Sequence, residues 1–200
     1  MNEVNAEIKI KEAARKVFLK KGMAGARMQE IADEAGINKA LLHYYYRNKE
    51  QLFASVFQEI IKEFLPALTS ILNGELPLEV KVYQVAEKYI DFLSVHPELP
   101  LFVLGELQRH PEMLIKKLEI QGGLNFDNLK DQLKSEVEAG NIRPISFEDF
   151  LMNLVSMLVF PFAGKYLFLA VTQMDNEDYS DFINRRKTEV PKYMMNALRI

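Results

Sequence analysis

The chain reads as an all-α protein of about nine helices, and three observations predict this. Apolar residues recur at the three- and four-residue spacing of a helix face almost throughout. No stretch alternates polar and apolar residues as a half-buried strand would. Gly, Pro and Asn fall between the periodic segments, at intervals of roughly a helix length, with N-capping residue types ahead of several of them.

The first element follows from Ile10, Ala13, Ala14, Val17 and Phe18, which line one face, with Gly22 as its stop. Two short segments come next, Met28 to Glu34 and Lys39 to Tyr46, with Gly36 between them. Asn48 with Gln51 three residues on has the form of a capping box, opening a longer helix towards Leu72 that Pro66 is expected to bend. Asn73-Gly74 ends it. Beyond Pro77 a helix covers Leu78 to Val95, His96-Pro97 breaks it, and Pro100 sits where another begins. His110-Pro111 is the next break and Gly122-Gly123 interrupts a charged segment. Asp127 to Glu138 is an amphipathic helix closed by Gly140. Ser146 with Asp149 is an acidic variant of the capping box, ahead of an apolar helix from Phe147. The last helix spans about Glu177 to Arg199. There is no internal repeat and no low-complexity tract.

Composition narrows the function. The 200 residues are 48% hydrophobic and 26% charged, enough to build a sizeable core. With no cysteine, disulfides, thiolate metal sites and cysteine nucleophiles are excluded, and the absence fits a reducing compartment. The three histidines have no metal-ligand spacing. No phosphate-cradling glycine loop or nucleophile elbow is present, so neither an enzyme nor a cofactor is expected. The start of the chain has no apolar signal-like run. Leu151 to Val171 is apolar enough to warrant comparison with a membrane span. It contains Asn153, Ser156, Pro161 and Lys165, however, and a charge at mid-span is costly, so burial within protein is expected and no membrane partner. The net charge of -3 is unevenly distributed. Residues 1–50 carry ten Lys/Arg against seven Asp/Glu, whereas the remainder carries fifteen against twenty-one. A basic module on an acidic body suits a protein that meets phosphate at one end.

The stretch from Gln29 to Lys49 has the physical form of two short helices around a tight turn. Ala32 and Ala35 allow a close helix crossing, Gly36 supplies the turn, and Asn38 is an N-cap. Ile31, Ile37 and Leu42 are expected to form a small core with Val17 and Phe18. A helix-turn-helix of this kind lays its second helix in the DNA major groove. Tyr44, Tyr45 and Tyr46 cannot all face outward at 100° per residue, and Tyr46 is the expected core residue.

Gly22, Ile31-Ala32, Ala35-Gly36-Ile37, Lys39, Leu42, Tyr45-Tyr46, Lys49-Glu50 and Leu52-Phe53 stand in the order and spacing that resembles the amino-terminal domain of the TetR family of transcriptional regulators. The resemblance covers about Ala6 to Phe57; the rest matches only in length and helical character. It implies a DNA-binding domain over residues 1–47 and a helical ligand-binding and dimerisation domain over 48–200. By position, the recognition helix is Asn38 to Tyr44, with Lys39, Ala40, His43 and Tyr44 towards the bases. Lys39 can donate to guanine O6/N7 and Ala40 can meet a thymine methyl. Tyr45 and Lys49 match phosphate-holding positions. Ala26-Arg27 replaces the usual Thr/Ser pair ahead of the second helix. Arg27 then offers phosphate a charged contact but leaves that helix without a cap. Leu41 stands where a Thr or Gly is common, which removes one hydroxyl contact.

The resemblance further implies a cytoplasmic regulator, most simply a ligand-responsive repressor. It would bind double-stranded operator DNA as a homodimer paired through its last two helices. An apolar or aromatic small molecule is the expected effector, with Phe92, Phe102, Phe126, Phe160 and Tyr166 as candidate walls and Gln108, Asn125 and Asn153 as candidate polar anchors. The alternative is an architectural or partner-regulated DNA-binding protein without an inducer. No metal site is expected.

Overall fold

A computed structural model describes residues 3–109, 111–112 and 125–200. The breaks expected at His110 and at Gly122-Gly123 lie outside the described residues. Among those described there is no strand, and ten helices follow one another: α1 Glu3–Gly25, α2 Met28–Ala35, α3 Lys39–Tyr45, α4 Lys49–Asn73, α5 Leu78–Val95, α6 Leu99–Arg109, α7 Asp127–Glu138, α8 Phe147–Ala163, α9 Lys165–Thr172 and α10 Asn176–Leu198. They gather into two compact units. The first runs to Phe64 and takes in the described residues from Leu101 onward to Glu112; the second holds Leu65–Pro100 and residues 125–200.

The expected α-class holds, with ten helices among the described residues against about nine expected for the chain. The apolar stretch is two helices, α8 and α9, bent by 76° across Gly164. The cause is local. Pro161 has no N–H for the carbonyl of Met157 four residues back, and Gly164 leaves helical geometry three residues later. The exposed carbonyls are taken over from α10. Arg186 donates from Nη2 and Nε to Met157 O at 2.7 and 3.3 Å, and Tyr179 Oη donates to Pro161 O at 2.8 Å. No single described helix is long and apolar enough to cross a membrane; the bent pair passes only on length and composition.

In the second unit α10 packs chiefly on α5, and α8 packs on both. Val82, Ala86, Ile90 and Leu93 of α5, Ile183, Val190, Met194 and Leu198 of α10 and Phe150, Leu154 and Leu158 of α8 are all buried in this unit. Two N-caps set where the flanking helices start. Ser146 Oγ accepts from Asp149 N at 3.0 Å and donates to the Asp149 carboxylate at 2.7 Å, the expected box with its acid engaged by the hydroxyl. Asp175 accepts from the amides of Glu177 and Asp178, so the last helix opens at Asn176, one residue before the expected start. The end of α4 and the loop after it are held by side chains: Lys81 Nζ on Leu72 O at 3.0 Å, Asn128 Nδ2 on Asn73 O at 3.0 Å and Gln132 Nε2 on Leu76 O at 2.9 Å. Lys81 is buried, and that burial lowers its pKa.

Candidate nucleic-acid interface

In the first unit, α1 supplies the platform. Ile10, Ala14 and Phe18 are essentially inaccessible, as are Ile31 and Ala32 of α2, Leu42 of α3 and Leu52 and Phe53 of α4. Phe18 meets Phe53 edge-on with ring centroids 5.2 Å apart, and Phe53 stacks on Phe57 at 6.1 Å. Val17 and Ile37, expected in this core, are only half-buried. Two salt bridges tie α1 to α2 at its surface, Lys21–Glu30 at 2.9 Å and Lys16–Glu34 at 3.2 Å. The first of these lowers the Glu30 carboxyl below its ordinary range.

The turn between α2 and α3 is built as its sequence requires. Gly36 sits at φ 66°, ψ 34°, a left-handed conformation that costs a residue without Cβ nothing. Ile37 N donates to Ala32 O at 3.0 Å and Gly36 N to Asp33 O at 3.1 Å, the paired closing bonds of a Schellman motif. Asn38 Oδ1 then accepts from Leu41 N at 2.8 Å and opens α3.

On α3 the helical period separates two faces. Leu42 is fully buried and Tyr46, just past the helix end, is 8% exposed, as expected of the inward tyrosine. Lys39, Ala40, His43 and Tyr44 are all exposed, Tyr44 at 75%. Tyr45 is half-buried and stands edge-on to Tyr44 at 5.5 Å. His43 Nδ1 lies 3.3 Å from Arg47 O. Tyr46 Oη donates to Glu7 Oε1 at 3.0 Å and lies 3.4 Å from Ser55 Oγ, which fixes the end of α3 against α1 and α4. Burial chiefly raises the Tyr46 phenol, while the hydrogen bonds from Lys11 first and Tyr46 second lower Glu7. Lys11 bridges Glu7 and Glu59, and its bond to Glu59, at 2.6 Å, raises its pKa.

Two residues bear on the link from α1 to α2, Arg27 at its end and Lys49 of α4. Arg27 is exposed at the start of α2 and makes no side-chain cap, as its type implied. Lys49 Nζ donates to Ala26 O at 3.1 Å and Ala24 O at 3.3 Å, so it holds the link as well as being a candidate for phosphate. Asn48 Oδ1 accepts from Gln51 N at 2.8 Å and starts α4. Sequence reasoning missed Glu106 of α6. It is fully buried in the first unit, with Oε1 accepting from Met23 N at 3.1 Å and lying 3.5 Å from Arg109 Nη1. The available signal was a lone acid among Leu101, Phe102, Val103, Leu104 and Leu107.

The candidate effector residues divide between the two units. Phe102 and Gln108 belong to the first unit. Phe102 is buried, 5.7 Å from Phe53, beside a cavity of about 10 Å³, no larger than a water site; Gln108 is exposed. The others belong to the second unit. Phe92 and Phe126 are half-buried, against His96 and Phe147, while Asn125, Asn153, Phe160 and Tyr166 are exposed.

Comparison with known proteins bears on this arrangement. Residues 10–56 match the family of bacterial regulatory proteins named tetR. The transcriptional repressor NicS of Pseudomonas putida is 25% identical over 87% of this chain and 85% of its own. The repressor SCO4008 of Streptomyces coelicolor is 38% identical over 46% of this chain and 44% of its own. Among solved structures, a Clostridium perfringens protein assigned as a fatty acid metabolism regulator superposes with a TM-score of 0.71, at 21% identity, over 96% of this chain and 99% of that one. The match to the family model covers the helix-turn-helix, most of α1 and the first two turns of α4.

Proposed function

We propose that this chain is a DNA-binding transcriptional regulator of the TetR family, a cytoplasmic, ligand-responsive repressor that grips operator DNA as a homodimer. The observation that carries the DNA half of the reading is the division of α3. Its inward face is locked by Leu42 and Tyr46, and its outward face offers Lys39, Ala40, His43 and Tyr44 to a groove. Lys39 near the helix start donates to guanine O6/N7, and Ala40 meets a thymine methyl. Asn38, Tyr45, Arg27 and Lys49 sit around that face as phosphate contacts, which give register rather than sequence choice. An ammonium has three donors, and Lys49 spends two on Ala24 and Ala26, which leaves one for a phosphate oxygen. The DNA-reading domain is residues 1–47 and the body 48–200.

The homodimer is supported by the outer faces of the last long helices. Met152, Ser156 and Phe160 recur at i, i+4 and i+8 along α8 and are exposed, and Tyr193 of α10 is 69% exposed. A helix packed inward on one side and left apolar on the other is what a two-fold interface needs. Repression is the sense carried by the names of NicS and SCO4008. An apolar or aromatic effector would act by binding one of two body conformations better and so shifting their populations. Phe92, Phe126, Asn153, Phe160 and Tyr166 are the residues to test for contact with it in the body.

The experiment is binding of the purified protein to the DNA upstream of its own gene, and to a fragment selected from random sequence, at two salt concentrations. Tight, salt-weakened binding that Lys39→Ala reduces unevenly across base substitutions supports the reading. A folded protein that binds neither fragment sinks it.

A further inference from the structure

We propose that Glu106 is a positioning residue for DNA recognition: from α6 it holds the link between α1 and α2 and so sets where the helix-turn-helix begins. The inference rests on the DNA-binding role and not on the existence of an effector. At Gly22 the chain leaves helical geometry, with φ 68° and ψ 173°, and an amide just beyond such a break needs an acceptor from elsewhere. Met23 N–H finds it in Glu106 Oε1, 83 residues away in sequence. The fit is close on both sides: a Cβ placed at Gly22 would lie 3.1 Å from the same oxygen.

The helix that follows depends on this anchor more than most. α2 has no side-chain cap, because Arg27 stands where a Ser, Thr, Asp or Asn would hold the first turn. Its start is fixed instead through residues 22–26. Glu106 holds Met23 from α6, Lys49 holds Ala24 and Ala26 from α4, and Ala26 N returns to Gly22 O at 3.3 Å. A displacement of that link moves α2, and α3 moves with it because the two share the Gly36 turn and the Ile31–Leu42 core. Stability alone would not select this side chain. Glu106 is fully buried, and its Oε2 has no hydrogen-bond partner among the described residues; an apolar residue of similar size would avoid that penalty. What the carboxylate supplies is a directed acceptor at one point of the chain.

The test compares Glu106→Gln, Glu106→Leu and Glu106→Asp in the full chain. Two readouts serve: affinity for the DNA fragment that the wild type selects from random sequence, and amide hydrogen exchange at Met23 without DNA. Gln keeps an oxygen at the same reach, so its DNA affinity stays within about threefold of wild type and Met23 remains protected. Leu removes the acceptor. Affinity then falls about tenfold or more, the scale of one lost buried hydrogen bond, and Met23 exchanges faster, with a loss of affinity larger than any fall in melting temperature accounts for. Asp, one methylene short, should lie between them, and it keeps the test open if the Leu protein does not fold. A Leu or Asp protein that binds DNA as the wild type does, with Met23 still protected, overturns the proposal. So does a loss that Gln shares in full or that only tracks a lower melting temperature. Failure of the wild type to bind any DNA would count against the DNA-binding reading, whereas an unchanged Met23 exchange rate across the variants would refute the anchor itself.

Discussion

At the scale of single residues, the most constrained position in the DNA-binding unit is Gly22. Its φ of 68° with ψ of 173° lies in a region that side chains with a Cβ almost never adopt, and the space beside it is taken by Glu106. Gly36 is also left-handed, at φ 66°, but nothing lies within 4 Å of a Cβ built there. The two glycines therefore differ in kind. Gly22→Ala carries backbone strain and a steric conflict, while Gly36→Ala carries only strain, of about 1 kcal/mol. Urea unfolding of the two variants checks this, with Gly22→Ala expected to lose about 2–3 kcal/mol and Gly36→Ala less than half as much. Equal losses would mean that the link after α1 relaxes away from Glu106. The difference is not readable from sequence, where Gly22 stands as a helix stop and Gly36 as a turn residue. A glycine states that the backbone is permissive there, and only the packed structure states what occupies the missing side chain's place.

At the scale of elements, most boundaries were legible because the residues that set them act locally. Asn38, Asn48 and Ser146 each cap the helix they precede, and α5 and α7 begin and end where Pro77, His96-Pro97 and Gly140 imply. The candidate major-groove face was legible for the same reason: once Leu42 and Tyr46 point inward, the helical period turns Lys39, Ala40, His43 and Tyr44 outward. The break between α8 and α9 was missed because its compensation is not local. Pro161 in an apolar run reads equally as a kink tolerated in one long helix. What makes the break stable is Arg186 and Tyr179, some twenty residues on, reaching the orphaned carbonyls. Glu106 was missed for the same physical reason, since its partner at Met23 is remote in sequence. The pairing of Arg186 with Met157 gives a sharp expectation. Arg186→Met should cost about 1–3 kcal/mol by stripping the donors from a sequestered carbonyl. Pro161→Ala restores an N–H to Met157 O, and in that background the same substitution should cost measurably less. A double-mutant cycle from thermal or urea unfolding gives the coupling, and strict additivity would show that Arg186 acts through its contact with the Phe182 ring and not through the carbonyl.

At the scale of the whole molecule, charge and copy number combine in a quantity that can be measured. Residues 1–50 are net basic on a net acidic chain, so the electrostatic footprint on DNA belongs to the amino-terminal end, and its strength depends on how many such ends bind together. Each phosphate neutralised releases condensed counterions, and the slope of log K against log salt falls by about 0.9 for each contact on duplex DNA. Arg27 is exposed at the start of α2 and is proposed to hold one phosphate per chain. If one chain bound alone, Arg27→Ala would flatten the salt slope by about 0.9; in a two-fold dimer the same substitution removes two contacts and flattens it by about 1.8. The expected result is the larger change, because the proposed homodimer presents two copies of Arg27 to one site. Titration of the selected DNA fragment between 50 and 200 mM salt, for wild type and Arg27→Ala side by side, reads the number directly. A slope change near 0.9 would assign one chain to each site and leave the Met152–Ser156–Phe160 face to another partner. No change at all would take Arg27 out of the interface and place the charged contacts of this unit on Lys39 and Lys49.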